Sequence, residues 1–212
     1  MNNRPDFLRN NKKKICLICE GFEEYDYISR LLELGVWSDV YDFTLVNAES
    51  NGNISARYQD KYQSDSFDIV LVLCDTDKKP HKDFELIRKK INDVYGNDLA
   101  ADQVIIFVNP CSMQVELSHF GDVHLTTQSK NANSSLIEQL TGIQRYKASE
   151  KQRKKMCDLI TNENYIKMKK RLESFPTNYT IESSTNFGVF LTRFESDDDS
   201  WIDELNEKLE SE

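Results

Sequence analysis

Residues 68–74 read DIVLVLC, in which Asp68 is followed by an unbroken apolar run, three of its residues β-branched, that is too short for a helix core. Such a run is what a strand buried on both faces looks like, and both faces are buried when helices cover a parallel sheet. KICLIC at 14–19 has the same character, QVIIFVN at 103–109 repeats it, and a further strand is expected at 42–47. Between these runs the spacing turns helical. At 23–34, Tyr27, Ile28, Leu31, Leu32 and Leu34 share a face before Gly35, and at 82–95, Phe84, Ile87, Ile91 and Val94 do so before Gly96. A polar turn, SNGN at 50–53, precedes a short helix at 55–62, and Pro110 opens another over CSMQVELSHF. Strand and helix alternating in this way predict a doubly wound α/β sheet of about four parallel strands with helices on both faces. Past Thr126 the pattern becomes helical and charged, at 134–141, 149–160 and 162–174. A stretch at 183–194 reads as helix or strand, and an acidic helix is expected at 199–209. The chain thus divides into an α/β domain at 13–125, a helical elaboration at 126–194, and an acidic tail or helix at 195–212.

Charge and cysteine usage bound the function. The formal net charge is −9, which taken alone argues against a nucleic-acid binder. Nearly all of it sits in the last eighteen residues, and the remainder carries basic clusters at 12–14, 78–82, 145–155 and 167–171. The acidic end reads as a solvated helix face, as a contact for a basic partner, or as a mask for the chain's own basic surface. Five cysteines fit a reducing compartment better than a disulfide framework. Cys16 and Cys19 form a C-x-x-C, but strand residues three apart point to opposite faces, so the two thiols cannot share a ligand. No apolar run approaches the roughly 20 residues of a membrane span. The N-terminal stretch also lacks a signal-peptide core. A cytoplasmic protein without membrane contact is the expectation.

The carboxylates stand where such a fold collects its chemistry, at the C-terminal ends of strands. Glu20 is the first residue off the first strand, followed by Gly21, which suits a tight turn. Asp75 and Asp77 are the first and third residues off the third strand. Two residues apart on an extended segment face the same way, so both can reach one ion. Three converging carboxylates repel one another unless a cation is bound, and an all-oxygen set suits Mg²⁺ or Mn²⁺. The plainer reading is an ordinary D-T-D loop, with Glu20 an acid favoured at a helix start.

CEGFEEYDY at 19–27 resembles the opening motif of Toprim domains, especially the RloB-like group, which reads C-E-G-x-T-E-x-x-Y. Cys19, Glu20, Gly21, Glu24 and Tyr27 match, and Glu23 stands where threonine is usual. VLCDTDKK resembles the Toprim D-x-D motif. NPCSMQVELSHF at 109–120 is similar to that group's N-P-C-F-E-x-W-x-L-x-H-F. There Asn109, Pro110, Cys111, His119 and Phe120 are in register, while Ser112, Met113 and Val115 depart from it. SSTNFGVFLTRF at 183–194 is similar to a C-terminal Ser/Thr-rich motif of the group.

The resemblance implies a Toprim fold of four parallel strands and a Mg²⁺-dependent phosphodiester hydrolase (Mn²⁺ as alternative). The substrate would be RNA, a tRNA loop included, or DNA. It further implies Glu20 as general acid/base or metal ligand, Asp75 and Asp77 as Mg²⁺ ligands, and Glu24 as support for a second ion. RloB-like members are associated with restriction loci and phage defence, so an endonuclease serving as defence effector is expected. The alternative is a catalytically weak binding or regulatory subunit of a complex whose ATPase lies on another chain. No Walker A motif is present here. Met113 stands where the motif has glutamate, and Glu116, one turn on, is the candidate replacement. Lys78, Lys79 and Lys82 could bind the scissile phosphate or solvate a helix start. His119 is either buried and structural or a phosphate contact. The basic stretches at 145–155 and 167–171 are expected to grip the substrate backbone, and a homo-oligomer is left open.

Overall fold

The computed structural model describes residues 12–210. DIVLVLC supplies β3 (Ile69–Asp75), which lies inside a four-stranded sheet with β1 (Lys13–Cys19), β2 (Tyr41–Asn47) and β4 (Ile105–Val108). The order is β2-β1-β3-β4 and every pairing is parallel. The two central strands are the two most apolar runs, and both are buried over nearly their whole length. The chain is therefore a doubly wound α/β fold.

Its connections are α1 (Phe22–Glu33), α2 (Asn51–Gln63), α3 (Lys82–Tyr95) and α4 (Ala100–Val104). From β1 the chain steps outward to β2, then returns across β1 to β3. Right-handed crossovers running in opposite directions put α1 on one face and α2 and α3 on the other. The strand order thus reverses between β1 and β3, and the crevice at their C-terminal ends is where such sheets bind ligands.

Several expectations shift. α2 starts at Asn51, because the polar turn SNGN forms its cap and first turn. Amides of a first turn have no intrahelical partner, so weak helix formers cost little there. The fourth strand is shorter than the apolar run, since α4 takes its first part and buries Ala100, Ala101 and Val104. The helix after Pro110 forms only at α5 (Met113–Ser118). Gly21 has extended backbone, with φ −146°, so the turn off β1 uses no glycine-only conformation.

The later helices are α6 (Ser134–Thr141), α7 (Glu150–Asp158), α8 (Asn162–Leu172), α9 (Phe187–Glu195) and α10 (Ser200–Glu210). Tyr165, Met168, Leu172, Phe187, Phe190 and Phe194 join the core of the sheet. A smaller core around Met113, Leu117, Ile137, Tyr146 and Met156 packs α5, α6 and α7 together. α10 turns Trp201, Ile202, Leu205 and Leu209 inward and leaves its acids outside. Trp201 Nε1 donates to Tyr41 Oη at 2.8 Å, and Lys13 Nζ meets Asp203 at 3.0 Å. The acidic end is thus an amphipathic helix with a solvated acidic face.

The segment before α9 settles the helix-or-strand question as a little of each. Thr185 makes one antiparallel bridge to Val108, and α9 follows two residues on. Asn186 then lies along the open side of β4. Its Oδ1 accepts from Phe107 N at 2.8 Å and its Nδ2 donates to Ile105 O at 2.8 Å. Thr185 Oγ1 donates to Phe107 O at 2.6 Å. All five cysteines are free, with Cys16 and Cys19 buried in β1.

Candidate active site

A cleft of ≈ 370 Å³ opens at the C-terminal ends of β1 and β3. Glu20, Glu23, Glu24, Glu49, Asp75 and Asp77 line it, against two cations, Lys130 and Arg153. Parallel pairing of β1 with β3 sets the first contact: Glu20 N donates to Leu73 O, and Glu20 Oε2 accepts from Asp75 N at 3.0 Å. Asp75 Oδ1 in turn accepts from Ser112 N at 2.7 Å, which ties the loop after β4 to the end of β3. Glu24, at the third position of α1, reaches back so that Oε2 accepts from Gly21 N at 2.9 Å. Each of these three carboxylates therefore has one oxygen anchored by a backbone amide.

Asp77 sits differently. Its φ of 56° is left-handed, so the chain past Asp75 is not extended and the alternation expected of D-T-D does not apply. Asp77 Oδ2 accepts from Asn51 Nδ2 at 3.4 Å instead. The loop that carries it is pinned by His81, whose Nδ1 donates to Thr76 O at 2.8 Å, and by Thr76 N donating to Val108 O. The carboxylates ring the cleft rather than meet at a point. Among the described residues, no three His, Cys, Asp or Glu side chains form a ready-made metal cluster.

The electrostatics follow from burial and like charge. Burial first, and then the charge of Glu24, pushes Glu20 up to about 8, with the Asp75 amide pulling the other way. Asp75 is pushed well above the usual carboxylate range by burial and by Glu24 and Glu20. Burial also raises Glu24, opposed by the Ser112 hydroxyl, and raises Asp77, opposed by Asn51.

The other candidates fall outside the cleft lining. Lys78, Lys79 and Lys82 are exposed beyond Asp77, and Lys79 approaches Glu182 at 3.8 Å. His119 is buried in the core. Its Nδ1 lies 3.1 Å from Asn164 Oδ1, an acceptor, so Nδ1 carries the proton and Nε2 accepts from Tyr27 Oη at 2.9 Å. Burial lowers its pKa to about 4, which keeps it neutral. Of the two readings of His119, its burial and partners fit the structural one. Glu116 is also buried, with Oε1 lacking a hydrogen bond, and it does not line the cleft in place of Met113.

The basic stretch at 167–171 is largely consumed within the chain. Lys167 pairs with Glu163, Lys169 with Glu195, and Arg171 donates to the carbonyls of Ser118 and His119. The stretch at 145–155 does reach the cleft, through Arg153 alone of its basic residues. Arg153 Nε meets Asp26 at 2.7 Å, while Lys130 Nζ pairs with Glu23. Lys130 and Gln128 lie in a polar loop with no periodicity, so nothing in the sequence singles them out. Phe22 and Ser112 were equally unmarked as cleft residues.

No family model, curated protein or solved structure matches this chain.

Proposed function

We propose that the chain is a divalent-cation-dependent phosphodiester hydrolase of the Toprim type, cutting RNA or DNA, and that it serves as a phage-defence effector. One observation carries the chemistry: six carboxylates against two cations line a cleft at the reversal of a parallel sheet. A phosphate entering so negative a space would be repelled unless positive charge entered with it. The donors are all oxygen, and Glu20, Glu24 and Asp75 each keep one oxygen beyond the one held by an amide. Such a set fits Mg²⁺ or Mn²⁺, with Glu20, Asp75 and Asp77 as the holding residues and Glu24 beside them. Bound there, the cation would supply Lewis-acid stabilisation of the charge that builds on the attacked phosphate.

The chain's own groups account for the rest of the reaction. Water attacks phosphorus as the bond to the leaving sugar oxygen breaks; the Glu20 carboxylate takes the water's proton and a solvent water protonates the leaving oxygen. Lys130 and Arg153, paired with Glu23 and Asp26, are the cleft's two cations and are available to an incoming phosphate.

The test is cleavage of labelled RNA, single-stranded DNA and plasmid in Mg²⁺, Mn²⁺ or EDTA, beside Glu20→Gln and Asp75→Asn. Metal-dependent cutting that both substitutions abolish supports the reading. A wild type that binds Mg²⁺ but cuts nothing favours a second reading, a binding or regulatory subunit that acts with a separate ATPase chain. The dispersed carboxylates and Met113 favour that second reading. A wild type that binds no divalent cation sinks both.

A further inference from the structure

We propose that Phe22 and Arg153 form a stacking platform for one unpaired nucleobase at the mouth of the cleft, so that the strand this site takes is single rather than duplex. The inference rests on the phosphodiesterase reading of the cleft. Phe22 opens α1, two residues past Glu20, and lines the same cleft as the carboxylates. The residue is 56% exposed. Exposed apolar residues occur singly on any protein surface. Phe22 differs in what backs it. The Arg153 guanidinium lies 5.2 Å from the ring centroid, on a side chain only 14% exposed. Asp26 holds its Nε at 2.7 Å and the Ala148 carbonyl holds its Nη1 at 2.7 Å. One side of the ring is thus covered by an anchored planar cation, and the exposed remainder is open to solvent.

An aromatic face backed by arginine suits a nucleobase of any identity, because every base has a π-face. The cleft's ≈ 370 Å³ is that of a small-ligand pocket, enough for one nucleotide outside a base stack. A base on Phe22 and its phosphate at Glu20 and Asp75 would lie along one wall of that space. Lys130, which lines the same cleft, is then left for the backbone. A paired base has its faces already taken by its neighbours and cannot use the platform.

The experiment measures binding in Ca²⁺ of fluorescein-labelled oligothymidine, oligouridine and a duplex of equal length. Phe22→Ala should weaken single-strand binding about tenfold, within the range that stacking contributes, and leave the duplex unchanged. Phe22→Trp should keep the affinity. Trp37 and Trp201 are buried, so this variant adds an exposed tryptophan whose emission a stacked base quenches. Three results overturn the proposal: Phe22→Ala binding single strands as the wild type does, Phe22→Trp emission unchanged at saturation, or no single-strand binding at all. The two readings fail separately. Metal-dependent cleavage with an indifferent Phe22 removes the platform and keeps the hydrolase. A quenched Phe22→Trp in a protein that cuts nothing does the reverse.

Discussion

Polar side chains are buried in two places near the ends of strands, and the chain completes them in opposite ways. Along β4, Ser183, Ser184, Thr185 and Asn186 are uncharged, and each hydrogen-bonds to the backbone: Ser183 to Leu125 O at 2.7 Å, Ser184 to Ile181 O at 2.6 Å, the other two to β4 itself. Around the cleft, Glu20, Glu24 and Asp75 have one oxygen each held by an amide, yet their charges face one another and few cations. A polar network finished inside the chain rigidifies it. One left electrostatically open marks where something from outside belongs.

Asp75→Asn should separate the two most sharply. Asparagine keeps an acceptor for Ser112 N, so the fold should survive, and the EDTA form should gain stability at alkaline pH, where the carboxyls ionise and repel. Cleavage should fall at least about 100-fold, the scale of losing one charge-stabilising group. Single-turnover rates and urea unfolding measure both. A loss of several kcal/mol in stability would make Asp75 a structural group and dissolve the contrast.

Proton linkage offers the next largest effect. Folded Glu20 holds its proton up to about 8, against 4.5 for an ordinary glutamate, so folding takes up a proton between those values. Stability in EDTA should therefore fall as pH rises through that window, with Glu24, Asp75 and Asp77 shifted in the same direction. His119 runs the other way. Its folded pKa of about 4 lies below the usual 6.5, so its contribution is lost as pH falls from 6.5 towards 4. Excess Mg²⁺ should abolish the alkaline fall and leave the His119 loss in place. Melting curves across pH with Mg²⁺ or EDTA check this, and an alkaline fall indifferent to Mg²⁺ would count against cation binding at the cleft.

The β4 side predicts smaller effects of a purely structural kind. Asn186→Ala strands the Phe107 amide and the Ile105 carbonyl, and should cost about 2 kcal/mol in urea unfolding with cation affinity unchanged. Thr185→Val, which removes a donor to Phe107 O, should cost about 1 kcal/mol. A change in Mg²⁺ affinity in either variant would show that the two networks are coupled.

The legible parts of the molecule were those whose signal is local. Apolar runs gave β1 and β3, and spacing gave α3 with its ends at Lys82 and Tyr95. The meeting of Glu20 with Asp75 followed from strand adjacency, since β1 and β3 pair directly. What escaped depended on single dihedrals or distant partners. The left-handed backbone at Asp77 is not written in D-T-D. α4 has five residues, too few to show a period. The basic run at 167–171 looks free in sequence because its partners lie as far away as Ser118 and Glu195. Lys130 reaches the cleft from a loop that only tertiary packing brings there.

Asn186 has a consequence beyond stability. Its carboxamide offers β4 one acceptor and one donor, which is what the backbone of a fifth strand would offer. The sheet ends at four strands because a side chain has taken the place of the next one. An edge with its amides and carbonyls occupied cannot template another chain, whereas a bare one can. The same carboxamide that finishes the fold thus also closes the β4 edge to pairing with another chain.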